Sequence, residues 1–505
     1  MHRSRLALTL LESRLTPAGG FDPSFNGGVP MEFDVGPGAD RFFAVAVDPA
    51  GRILAAGESG GDMLIARLTP NGQLDATFGG NGVVRLDVAG WRDEARGVAV
   101  AADGTVLVGG RAGTDAGDRF ALVRLDPAGR PLSATLTGFG RTGTADGLAR
   151  GMAVSPRTGD VYVVGTSGSQ FAVARYSAGG DLLGHTRVAA GVTSTGWAAA
   201  VAPDGRLFVA GGVGGGDDPA VARLNADLSD PVARVVPMPG PAGTAKAVAV
   251  SPDGRRVYLA GEADPTGTGA DFAVLALDPD LGEVARTYLA FGPAGDADRG
   301  RGIAVDPQGR VVVAGRAVNA GGSSAAVARL LPDTLALDPT VGGERFDFGR
   351  YDRALAVALD PQGRAVLAGN AGVRAAVARV RLDSAIRSGP QVLPGRPLTG
   401  LAVGGAAGGL VEVGGGRVTP VPGHPGGVRV AAADLTGDGV ADLVAAPGPG
   451  GGPRVTVSDG ATGAELGWVM AFESAFTGGL FVATADLTGD GKAEVVVTPD
   501  RGGGP

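Results

Sequence analysis

Residues 434–442 read DLTGDGVAD, and residues 486–494 read DLTGDGKAE. Oxygen-bearing side chains fall at positions 1, 3, 5 and 9 of each stretch: Asp434, Thr436, Asp438 and Asp442, then Asp486, Thr488, Asp490 and Glu494. Gly439 and Gly491 at position 6 permit a sharp bend, after which Val440 and Lys492 can each offer a main-chain carbonyl. Alternating oxygens around a glycine bend suit a hard cation that takes roughly six to eight oxygen ligands. The other reading is a metal-free polar turn. A helix–loop–helix calcium site is excluded, because the position that needs a bidentate Glu is Ala445 in one copy and Val497 in the other. The flanking runs RVAAA and ADLVAA are strand-like.

A second constellation emerges from repetition. DPQGRVVVAG at 306–315 recurs almost unchanged as DPQGRAVLAG at 360–369, and related segments begin near 44, 98, 152, 199 and 248. Equivalent apolar anchors lie at 47, 100, 154, 201, 250, 305 and 359, with gaps of 53, 54, 47, 49, 55 and 54 residues. Seven residues before the anchors stand Asp40, Asp93, Gly147, Ser194, Gly243, Asp298 and Asp352; four before them stand Phe43, Arg96, Arg150, Trp197, Lys246, Arg301 and Leu355. If the strand that follows is innermost, these residues rim one mouth of a channel. Asp40, Asp93, Arg96, Arg150, Lys246, Asp298, Arg301 and Asp352 are then the candidate ligand-binding set. The alternative is acid–base pairs that merely hold register. A third series, Arg67, Arg124, Arg175, Arg223, Arg329 and Arg379, with Ala276 as the exception, reads either as an anion site or as forks bonding the next repeat.

The elements that position these residues are short strands. A period near 50 with strand content points to a propeller or a solenoid. In Asp48-Pro49-Ala50-Gly51 the residue types match a type I turn closing a tight hairpin. Each unit carries a second hairpin, as in MLIARLTPNGQL, so each unit makes a four-stranded sheet. The last unit breaks off at VARVRLDS without a fourth strand, whereas FDPSFNGGVPMEFDV at 21–35 matches the missing piece. A strand around Met31–Val35 is therefore expected beside the final unit, closing the ring and removing its open edges. The expected fold class is all-β: a seven-bladed β-propeller closed by its N-terminal strand, plus a second, incomplete β-repeat module.

With these motifs in place, GRILAAGESGGDMLIARLTPNGQLDATFGGNGVV resembles the bacterial delta-60 repeat, a likeness spanning residues 21–383. Residues 1–20 are read as a targeting or disordered segment and 384–396 as a linker. Residues 397–505 resemble the FG-GAP (VCBS-type, integrin-α-like) repeats and stop in mid-repeat. That resemblance implies that Asp434, Asp438 and Asp442 bind calcium. The LESRLTPA opening resembles those of large surface or secreted repeat proteins of planctomycete bacteria.

Composition narrows the function classes. Of 505 residues, 91 are Gly and 34 Pro, only 5% are aromatic, and there is no Cys, which excludes thiolate metal sites and cysteine nucleophiles. A net charge of −8 without basic–aromatic stretches argues against a nucleic-acid partner. No apolar run approaches the roughly 18 residues of a membrane span. The three histidines fall in unrelated contexts, and no nucleophile–base arrangement is visible. The expectation is a monomeric, non-catalytic, calcium-binding protein outside the cytoplasm, acting in adhesion or binding a surface glycan or protein. The alternatives are a carbohydrate-active or lactone-hydrolysing propeller with carboxylates at the channel mouth, and a structural spacer.

Overall fold

The computed structural model describes residues 21–36, 38–140, 147–214, 218–238, 243–265, 269–291, 297–319, 322–338, 343–346 and 352–382. Beyond these it describes 403–404, 411–413, 416–418, 428–436, 442–448, 451–459, 465–472, 476–485 and 493–499. The segments read as a leader (1–20) and a linker (384–396) lie outside the described residues. Two compact units are present, Thr16–Ala385 and one formed within Ile386–Pro505.

Tight turns build the first unit. Gly51 donates its N–H to the Asp48 carbonyl at 2.8 Å with φ of +78°, and the Asp48 carboxylate accepts the N–H groups of Ala50 and Arg52. Proline presets one turn residue and glycine supplies the left-handed one, so the hairpin closes at little cost. Among the described residues this unit contains seven four-stranded antiparallel sheets. Their first strands are Asp40–Val47, Asp93–Val100, Leu148–Val154, Ser194–Val201, Gly243–Val250, Arg299–Val305 and Arg353–Leu359. Each first strand packs against the next, and Arg353–Leu359 packs against Asp40–Val47, so the series returns on itself as a β-propeller and not as an open solenoid.

Stacking sheet on sheet explains the composition. Second strands such as Ile53–Ser59 are buried along their whole length, whereas outer strands such as Leu182–Val188 alternate. The apolar clusters each combine two neighbouring sheets: Leu54, Ile65 and Ala56 pack with Val98, Val108 and Val123. Small Ala, Val and Gly side chains let the sheets approach closely near the axis.

Six sheets take their strands in sequence order; the seventh does not. Met31–Phe33 pairs antiparallel with Arg374–Val380, bringing Met31 opposite Val377 and Phe33 opposite Ala375. Phe33 then meets Phe42 of the first sheet edge-on at 5.0 Å, inside a core that also holds Phe25, Val366 and Val377. A buried ion pair reinforces the seam: Arg379 donates to Asp22 at 2.8 Å. Three of the third-strand arginines are cross-braces, whereas Arg175 pairs with Asp160 of its own sheet. Arg67 donates to the Pro127 carbonyl, Arg223 to that of Pro279 and Arg379 to that of Pro70, each in the neighbouring sheet.

In the second unit, Val428–Ala433, Asp442–Pro447, Arg454–Ser458 and Glu465–Met470 form a four-stranded sheet, and Leu480–Ala485 pairs with Glu494–Pro499. The strands on either side of each acidic stretch pair antiparallel, with Ala433 opposite Asp442 and Ala485 opposite Glu494.

Phe33→Ala should destabilise the first unit by about 3–5 kcal/mol, the usual cost of emptying a buried phenylalanine site. Val29→Ala, at an exposed position of the same segment, should stay within about 0.5 kcal/mol. Equilibrium denaturation compares the two; equal losses would mean that the N-terminal strand does not carry the seam.

Candidate functional site

Every first strand of the propeller carries one irregularity. Pairing with the second strand skips a single residue, and the skipped residues are Phe43, Arg96, Arg150, Trp197, Lys246, Arg301 and Leu355. These are the residues four before each anchor. A β-bulge places two residues opposite one and re-aims the extra side chain. All seven line one central cavity of about 530 Å³. Around the ring they run apolar, cation, cation, tryptophan, cation, cation, apolar.

Opposite each bulge sits the glycine that ends the repeated decamer. A Cβ on Gly261 would lie 1.8 Å from the Thr244 carbonyl oxygen, and at Gly57, Gly110, Gly165, Gly211, Gly315 and Gly369 the equivalent approach is 1.8–2.0 Å. Only glycine lets the bulged backbone come so near.

The structure separates the two halves of the candidate set. The basic members Arg96, Arg150, Lys246 and Arg301 line the cavity. The acidic members do not. Asp40, Asp93, Asp298 and Asp352 are at most 1% exposed. Asp40 accepts the Val35 N–H at 2.8 Å; Asp93 accepts those of Val88 at 2.6 Å and Gly113 at 3.1 Å; Asp298 accepts those of Phe291 at 2.7 Å and Val318 at 2.9 Å. They clamp the incoming connection and the end of the second strand, satisfying buried amides that would otherwise be orphaned. Burial raises the Asp93 carboxyl above its ordinary range, and the amide hydrogen bonds offset only part of that.

Further cations join the ring. Arg41, Arg299 and Arg353 stand two residues before a bulge, and Arg92 and Arg316 lie alongside. The carboxylates nearby are occupied: Glu94 binds Arg96, Arg111 and Arg92, while Glu58 binds Arg92 and lies 3.8 Å from Arg41. Glu262 faces Arg299 at 3.1 Å. Among the described residues, Arg150, Lys246, Arg301, Arg316 and Arg353 have no carboxylate within ion-pair distance. Aromatic faces take part of the load: Arg96 lies over Phe43 at 3.8 Å, and Arg150 and the Lys246 ammonium lie over Trp197 at 4.0 and 3.7 Å. Burial first, then the Arg301 charge, pulls Lys246 down to about 8. Arg150, Arg301 and Arg316 are lowered too, with burial the largest cause. The buried Nε atoms of Arg150 and Arg316 have no hydrogen-bond partner.

In the second unit, Asp442 is fully buried and its Oδ2 accepts the N–H groups of Leu435 and Thr436 at 2.9 and 3.1 Å. The Thr436 hydroxyl lies 3.5 Å from Asp434, whose carbonyl accepts the Ala493 N–H beside Glu494. Asp438, Val440, Asp486, Thr488, Asp490 and Lys492 lie outside the described residues. Among the described residues, no three His, Cys, Asp or Glu side chains are grouped to hold a metal.

Set beside known proteins, residues 49–78, 101–131, 202–229 and 307–340 match the model of a domain of unknown function (DUF5122) described as a beta-propeller. No curated protein sequence matches the chain. Among solved structures, catalytically inactive virginiamycin B lyase from Staphylococcus aureus, crystallised with quinupristin, is 12% identical with a TM-score of 0.46; the match covers 70% of this chain and 99% of that one. The WD40 repeats of RRP9 are 11% identical with a TM-score of 0.48, covering 70% and 98%. The chain is a β-propeller repeat protein. Among the described residues no helix is long and apolar enough to cross a membrane.

Gly261→Ala should force the bulge out and turn Lys246 away from the cavity. The expected outcome is a loss of roughly 1–3 kcal/mol in the propeller's unfolding transition, with Lys246 returning toward an ordinary lysine titration by NMR. A Lys246 titration still near 8 in this variant would show that the bulge does not place it.

Proposed function

We propose that this chain is a non-catalytic binding protein acting outside the cytoplasm: a seven-bladed delta-60-type propeller followed by calcium-binding FG-GAP-type repeats. It would act in adhesion, holding an anionic group of a surface glycan or protein in the ring of bulged residues. One observation carries the reading. Five cations without carboxylate partners converge in a single cavity of a protein whose net charge is −8. Like charges gathered out of water cost stability unless an anion joins them, and arginine forks match carboxylate, sulfate and phosphate oxygens in pairs. The engagement of Glu58 and Glu94 by arginines favours binding over the acid–base chemistry of a hydrolase. Export rests on the likeness of the LESRLTPA opening to those of planctomycete surface proteins.

Inorganic pyrophosphate serves as a probe of the ring. It should bind, weaken with rising salt as screened charge pairs do, and lose at least about tenfold in affinity with Arg301→Ala or Arg150→Ala. Affinity should also fall as pH rises through about 8, where Lys246 loses its charge. The unliganded protein should do the reverse. A lysine depressed in the folded state holds fewer protons than the unfolded chain between about 8 and its ordinary value, so stability rises with pH across that window. Lys246→Met should flatten both trends. Pyrophosphate binding that ignores Arg301, Arg150 and pH would remove the anion reading.

For calcium, the described part of the first loop is a compatible fit. Asp434, Thr436 and Asp442 bring oxygens to one hairpin end, the donor type a hard cation takes. With Asp438 and the Val440 carbonyl they would hold the ion, and Asp486, Thr488, Asp490, Glu494 and the Lys492 carbonyl would do so in the second loop. Affinity should be modest, about 10⁻⁴–10⁻³ M, as in extracellular modules. At 100 times the dissociation constant, calcium should stabilise the second unit by about 2.7 kcal/mol per site. Calorimetry of the full chain with calcium and with chelator tests this. Asp438→Ala should remove the first site's share and leave the propeller transition in place. A second transition indifferent to calcium would make both loops ordinary turns.

A further inference from the structure

A second cavity of about 560 Å³ opens beside the cationic ring, and the two share Arg41, Glu58 and Arg92 in their walls. Its outer wall is Trp91. This side chain is 62% exposed, more than any other described Trp or Phe. Its Nε1 donates to Asp115 at 2.9 Å, so the indole is held in place while much of its surface stays open to solvent. Asp62 and Asp87 complete the rim, Asp62 paired with Arg85 and Asp87 accepting the Gly90 N–H.

The chemistry of this cleft differs from that of the ring. A fixed tryptophan flanked by carboxylates suits a surface that is apolar on one side and rich in hydroxyl donors at its edge, which describes a pyranose ring. At that spot the hydroxyls of a sugar can donate to the carboxylates, which a phosphodiester backbone cannot do, whereas the ring next to it demands an anion. We infer that the two cavities form one site for an acidic oligosaccharide, with a uronate or sulfate group in the cationic ring and an adjoining sugar ring stacked on Trp91. This rests on the reading of the ring as an anion site and adds the class of ligand to it.

Equilibrium binding to the full-length protein tests it with tetragalacturonate, a sulfated heparin tetrasaccharide, the galacturonate monomer, inorganic sulfate and a single-stranded tetranucleotide. At least one acidic tetrasaccharide should bind about tenfold or more tighter than the monomer, and which one does so distinguishes uronate from sulfate. Trp91→Ala should erase that gain, weakening the tetrasaccharide about tenfold, a typical effect for an interface tryptophan, while leaving sulfate binding unchanged. Trp91→Phe should recover part of it. Tetrasaccharides that bind no better than sulfate, or that ignore Trp91→Ala, would overturn the glycan assignment while Arg301-dependent sulfate binding left the anion reading standing. A tetranucleotide that binds tighter than both tetrasaccharides would overturn it in favour of nucleic acid. Failure of every anion to bind would overturn both readings together.

Discussion

The close approach between a glycine and a carbonyl oxygen, repeated around the ring, is the constraint on which the rest of this propeller turns. At Gly261 the space between its α-carbon and the Thr244 carbonyl is too small for a methyl group. That approach admits the bulge, and the bulge turns Lys246 toward the axis instead of into the sheet stack. Without it, strict alternation would send residues to one of two apolar interfaces between neighbouring sheets, where a lysine or arginine would be buried without water. One backbone device thus reconciles a core of small apolar residues with a charged channel a few residues away. It also leaves the bulged position free to vary: the series accepts Phe43, Trp197 and Leu355 as readily as Arg96 or Lys246, because the glycine fixes direction and not identity.

Much of this organisation was legible in the chain. Periodicity exposed the repeats and aligned the anchors, and the fourth strand missing after VARVRLDS pointed to the stretch around Met31–Val35, of which Met31–Phe33 pairs with the last sheet. The four-before-anchor series was visible for the same reason. Direction was not visible. Asp40 and Phe43 are three residues apart, and on an ideal strand they would point to opposite faces. The sequence shows no register, and register is what a bulge alters. Equal spacing from the anchors put the aspartates on one rim with the basic residues, whereas Asp40, Asp93 and Asp298 are clamps for buried amides. Arg41, Arg299 and Arg353 carried a usable signal, two residues before the bulge, whose meaning depended on knowing the bulge was there. In the second unit the strands that flank the acidic stretches were legible from their short apolar runs, and Val428–Ala433 pairs with Asp442–Pro447.

The arginines of the propeller divide into two populations with opposite energetics. Arg67 and Arg379 are nearly fully buried, yet each fork finds a carboxylate and a carbonyl of a neighbouring sheet. A buried guanidinium satisfied on all sides braces the ring and carries little uncompensated cost. At Asp22 burial alone would raise the carboxyl, but the Ser24 hydrogen bonds and the Arg379 charge bring it below its ordinary value. Arg150, Arg301 and Arg316 face the other way, with burial shifting them downward. They sit where desolvation and mutual repulsion both oppose their charge. Residue type is the same in the two populations; what differs is whether the fold supplies the anion.

Where the fold supplies it, the requirement is structural, as at Asp22, Asp75 and Asp338, which follow the same short pattern in FDPS, LDAT and LDPT. Where the fold withholds it, the charge is left for something else to neutralise. Neutral residues are accommodated at equivalent places in the same ring, as Leu355 and Phe43 show. Burial and mutual repulsion oppose the charge of Arg150, Lys246 and Arg301, and the Trp197 face, Glu94 and Glu262 offset only part of it. Residues that work against folding in this way are the ones whose identity the packing of the propeller does not explain.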